Sequence, residues 1–119
     1  MTTWNLQGTV NHLLICGGSS CRKNKGGEVA DAIEDEIEKQ EAAGNIHTTL
    51  TECNGRCSDA CVVISYPEGV WYSEMTPKAG KKLVRKLLQG EQLKDHLLYT
   101  YDGGLQAQTE KGAKGKKKK

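Results

Sequence analysis

Cys16, Cys21, Cys53, Cys57 and Cys61 most limit what this chain can become. An odd number does not pair off into a disulfide framework. Nothing at the N-terminus reads as an export signal: Met1 to Gln7 lacks a basic start, and Leu13-Leu14-Ile15 is too short for a signal core. No stretch approaches the ~20 apolar residues of a membrane span. The expected setting is the cytoplasm, where thiols bind metal or do redox chemistry.

Where the cysteines fall is set by the segments around them. Thr9 to Ile15 (TVNHLLI) reads as a short strand that runs into the small-residue loop Cys16-Gly17-Gly18-Ser19-Ser20-Cys21. Glu28 to Ala43 reads as a helix, with Val29, Ile33 and Ile37 at a spacing of four and Gly44-Asn45 as its stop. Its acids are expected to face solvent. Ile46 to Glu52 (IHTTLTE) reads as a strand with Ile46, Thr48 and Leu50 on one face. A second small-residue loop, 53–60, follows it. Cys61 to Tyr66 (CVVISY) reads as a buried strand that turns at Pro67-Glu68-Gly69 into Val70 to Glu74. Thr76-Pro77 opens a second helix that closes at Gly90.

The expected order is β-α-β-β-β-α, an α/β fold in which a right-handed parallel unit is completed by a hairpin. The 119 residues suffice for one domain that buries roughly two-thirds of its unfolded surface. Residues 1–8 are expected to form an N-terminal arm, 9–90 the domain, 91–105 an extension packed on it through Leu97-Leu98-Tyr99, and 106–119 a disordered Lys-rich tail.

Both loops follow strands that lie side by side in such a sheet, so Cys16, Cys21, Cys53 and Cys57 are expected to meet at one edge. Four thiolates there suit a tetrahedral zinc ion or a [2Fe–2S] unit. The brackets, four residues wide in one loop and three in the other, are wide for structural zinc and better suited to the larger diiron unit, without deciding between them. The interleaved glycines and serines leave backbone N–H groups able to point at sulfur. Cys61 is either a buried small apolar residue or an alternative ligand. No C-x-x-C occurs, which speaks against a thiol–disulfide oxidoreductase. His12, His47 and His96 read as surface or hydrogen-bonded histidines, and Trp71 and Tyr72 as core or dimer-face residues.

Charge narrows the partners. Of 17 basic residues six lie in 111–119, which holds no acid, so residues 1–110 carry 11 bases against 15 acids. That mildly acidic body gives no blanket affinity for nucleic acid. Arg22, Lys23, Lys25 and Arg56 flank the cysteine loops, as solvated charges or as groups that steer an acidic partner.

The layout Cys16-x4-Cys21, Cys53-x3-Cys57, then V62-V-I-S-Y-P-E-G-V-W-Y72 resembles the thioredoxin-like [2Fe–2S] ferredoxins over about residues 9–90. The domain is similar as well to the small cluster-bearing subunit of respiratory NADH dehydrogenase. The resemblance implies a thioredoxin-like sheet with flanking helices and a homodimer. It also implies one [2Fe–2S] cluster on Cys16, Cys21, Cys53 and Cys57, and one-electron transfer to a redox protein partner, a reductase or an acceptor metalloenzyme, rather than an enzyme's turnover. Where many members have Gly-Pro, this chain has Ala60-Cys61. A narrower resemblance, in N54-G-R-C-S-D-A-C61 and W71-Y-S-E-M-T-P77, is to ferredoxin-like proteins found in some bacilli beside cobalamin-biosynthesis genes. The alternatives weighed are cluster storage or delivery, with Cys61 as its clue, and a zinc-stabilised binding module on the same four thiolates.

Overall fold

The computed structural model describes residues 3–18, 26–56 and 59–115. These residues form β1 (Asn11–Cys16), α1 (Gly26–Lys39), β2 (Ile46–Thr51), β3 (Val63–Tyr66), β4 (Val70–Tyr72), α2 (Pro77–Leu88), β5 (Leu97–Tyr101) and β6 (Leu105–Ala107). A 3-10 turn, Lys94–His96, leads into β5. The strands make one mixed sheet in the order β2-β1-β3-β4-β5-β6. β1 and β2 run parallel across the α1 crossover, and the other neighbours are antiparallel. This is the expected α/β architecture with two further strands at the C-terminal edge.

Alternation builds the core. Leu13 and Ile15 of β1 are buried, and with Val63, Val70 and Tyr72 they join Val29, Ile33 and Ile37 of α1 and Leu83 and Val84 of α2 in one cluster. The helices pack side by side at Gly80, where an added Cβ would lie 2.9 Å from Ile33 Cγ1. Thr76 caps α2 by accepting from the Ala79 N–H at 3.1 Å, with Pro77 at its first position, as the sequence expects.

Two expectations are corrected. Glu36 of the acidic helix turns inward: its side chain is 2% exposed, and Arg85 Nε of α2 donates to it at 3.2 Å. Ile46, Thr48 and Leu50 share one face of β2 by alternation, as expected, but that face is buried only at Ile46, and Leu50 is 58% exposed. Residues 106–115, expected as part of a disordered tail, include β6 and turns that lie on the body. Their short, exposed strand gives almost no hydrophobic periodicity to read.

Candidate metal centre

The parallel register of β1 and β2 sets Cys16 beside Thr51, so both cysteine loops leave the sheet at the same edge. The Gly17 N–H donates to Thr51 O at 2.7 Å, continuing the ladder one residue beyond the strands. Past that point the loops touch. A Cβ at Gly17 would stand 2.7 Å from Thr51 O, and one at Gly18 would stand 3.0 Å from both Cα and Cβ of Cys53. A side chain at either glycine would crowd the two loops.

Two of the four expected ligands belong to the described residues, and the strands bring them to this edge. Cys16 is 3% exposed, its N–H bonded to Val62 O at 2.9 Å and its Sγ 3.6 Å from Glu52 O. Cys53 is exposed, and the Gly55 N–H donates to its Sγ at 3.3 Å. Asn54 Nδ2 donates to Thr51 Oγ1 at 2.9 Å, pinning the start of the loop to the end of β2. Cys21 and Cys57 lie outside the described residues, as do Arg22, Lys23 and Lys25. Among the described residues, no three His, Cys, Asp or Glu side chains gather in a metal-binding group.

Cys61 is fully buried, its Sγ 3.8 Å from Cys16 O and 4.0 Å from Val62 O. It sits behind the first loop's backbone, in the core. The histidines stand elsewhere. His12 and His47 face each other across β1 and β2 with ring centroids 4.9 Å apart. They are four register steps from Cys16, about 13 Å at the usual rise of a strand. Burial first, and the His47 charge second, hold the His12 pKa below its ordinary value. His96 Nδ1 lies 2.9 Å from Ser73 O.

A polar hub beside the second loop was not anticipated. Arg56 Nε donates to Asp59 Oδ2 at 2.7 Å, and the Asp59 side chain is only 2% exposed. The Arg56 side chain itself is 17% exposed, so it is no solvated loop charge. Lys111 Nζ joins from the C-terminal segment, 2.8 Å from Glu74 Oε1 and 4.0 Å from Asp59 Oδ1. The hydrogen bond and charge of Lys111 hold the Glu74 carboxyl below its usual range. The i,i+3 spacing of Arg56 and Asp59 was the one local signal; the Lys111 contact spans the molecule.

Comparison with known proteins shows the family. No family-level sequence profile matches the chain. It is 47% identical over 103 residues to a Priestia megaterium protein whose name places it among the 2Fe-2S ferredoxins, covering 86% of this chain and 80% of the relative. Its fold superposes on a thioredoxin-like [2Fe-2S] ferredoxin from Aquifex aeolicus with a TM-score of 0.72. That match covers 79% of this chain and 94% of the other at 25% identity. The chain belongs to the thioredoxin-like [2Fe–2S] ferredoxin family. A 2Fe-2S ferredoxin of Clostridium pasteurianum is 27% identical over 95 residues, 71% of this chain and 91% of that one. Within this ferredoxin's described residues, no helix is long and apolar enough to cross a membrane.

Proposed function

We propose that this ferredoxin holds one [2Fe–2S] cluster on Cys16, Cys21, Cys53 and Cys57 and passes single electrons to and from a protein partner. The contact between the two loops carries the reading: Gly18 rests on Cys53 with little room for a side chain, so thiols from β1 and β2 can reach one inorganic centre. The donor chemistry fits. Cysteine thiolates are the ligands that [2Fe–2S] units take, and a backbone N–H already points at Cys53 sulfur. When bound, the cluster supplies a reversible one-electron couple.

The chain's own residues do the rest. Buried Cys16 offers a sulfur shielded by the sheet, while exposed Cys53 marks the side from which electrons enter and leave. The Gly55 N–H offsets negative charge on sulfur, and such bonds raise the potential. In this reading Cys61, fully buried just ahead of β3, is a core residue rather than a fifth ligand, which leaves electron transfer favoured over cluster delivery. By the family resemblance it acts as a homodimer, and its thiol ligands suit the reducing cytoplasm. The narrower resemblance suggests cobalamin biosynthesis as the consumer of its electrons; normal corrinoid synthesis in a strain lacking this protein rules that out.

Anaerobic purification tests the reading. Two iron and two sulfide per chain are expected, with a visible-absorbing oxidised form and an EPR signal on one-electron reduction. Colourless protein with stoichiometric zinc overturns it in favour of a binding module.

A further inference from the structure

Arg56 directly precedes Cys57 in the second cysteine loop, yet its side chain reaches out of that loop. Nη1 donates to Lys114 O at 2.7 Å and Nη2 to Lys111 O at 2.6 Å, while Nε holds Asp59. The guanidinium carbon lies 5.7 Å from the Tyr99 ring centroid, and the Tyr99 hydroxyl donates to Gly112 O at 2.7 Å. One planar cation thus joins the cysteine loop, a buried carboxylate and two C-terminal carbonyls. The segment it grips, Lys111-Gly112-Ala113-Lys114-Gly115, has little apolar surface to hold it down. Its order rests on these polar contacts, and the residue that makes them, Arg56, stands between Cys53 and Cys57 in the sequence.

We infer that Arg56 is a positioning residue for the second cysteine loop, and that residues 108–115 form a clasp keeping that loop in its cluster-holding shape. The inference rests on the assignment of Cys53 and Cys57 as ligands. Lysine cannot stand in for Arg56. It keeps an ion pair with Asp59 but lacks the rigid fork that spans two carbonyls. Opening the clasp frees the loop and loosens the Gly55 N–H bond to Cys53 sulfur.

Full-length holoprotein carrying Arg56→Lys, Tyr99→Phe or both tests this. Tyr99→Phe keeps the ring beneath the guanidinium and removes only the bond to Gly112. The readouts are iron release to a chelator at a temperature where circular dichroism shows the fold intact, and the midpoint potential. Arg56→Lys is expected to release iron about fivefold faster, the scale of one lost hydrogen-bond group, and to lower the potential. Tyr99→Phe is expected to move both in the same direction by less, and the double variant to match Arg56→Lys, because both act on one clasp. Wild-type iron release and potential in Arg56→Lys overturn the inference. So does a lowered melting temperature with both readouts unmoved, which leaves Arg56 a stabilising role only. Cluster retention with an unchanged EPR signal in Cys53→Ser and Cys57→Ser refutes the ligand assignment instead, whatever the clasp variants do.

Discussion

A Cβ added at Gly18 would stand 3.0 Å from the α-carbon of Cys53, tighter than an ordinary van der Waals contact. Gly18→Ala needs the Cys53 backbone to give by a few tenths of an ångström, a strain of about 1–3 kcal/mol by comparison with overpacked cores. The expected result is less iron per chain after anaerobic purification, with α1 and α2 intact by circular dichroism. His12 gives a second residue-scale outcome. Its folded pKa is lowered by burial and by His47, so below about 6.5 the unfolded chain takes up a proton that the folded chain resists. Stability is full above that pH and falls as pH drops toward the folded value. Denaturant midpoints at pH 7.5 and 5.5 check this, and His12→Gln is expected to flatten the difference. At this scale the sequence was informative about chemistry: spacing marked the cysteines, and small neighbours marked close backbone approach. It offered burial as one reading of Cys61, which the structure bears out, but it did not tell buried Cys16 from exposed Cys53, because that depends on strand ends that spacing does not locate.

The helices pack where one residue has no side chain. Gly80 of α2 lies against Ile33, which is fully buried and cannot retreat. Gly80→Ala gains about 0.5–1 kcal/mol of helix propensity but forces a contact at 2.9 Å, where overpacking costs about 1–3 kcal/mol. The net expectation is destabilisation, seen as a lower unfolding midpoint. Element by element, periodicity gave α1, α2 and the first four strands to within a few residues. The stripe at Val29, Ile33 and Ile37 and the Thr76-Pro77 cap are local signals that tertiary packing reinforced. Glu36 was misread because six acids in one helix look alike; its partner Arg85 lies 49 residues along the chain. β5 and β6 were missed although Asp102-Gly103-Gly104 between them is turn-like, because β6 is exposed throughout and Leu97-Leu98-Tyr99 is too short to separate strand from packed loop.

At the scale of the molecule, the chain folds back on its own cysteine edge. The strand order puts β5 and β6 far from β2, yet the segment beyond β6 returns to Arg56 in the loop that follows β2. Composition reads that segment as a tail because lysine and glycine seldom build structure alone; a guanidinium from elsewhere supplies what it lacks. The remaining question is whether β1 and β2 deliver their cysteines to one shared centre. EPR spectra of the reduced protein, recorded for five single Cys→Ser variants purified anaerobically, answer it most directly. The expected result is a lost or altered signal for Cys16, Cys21, Cys53 and Cys57, and the wild-type signal for Cys61. A wild-type signal from any of the first four, or a changed one from Cys61, contradicts the assignment.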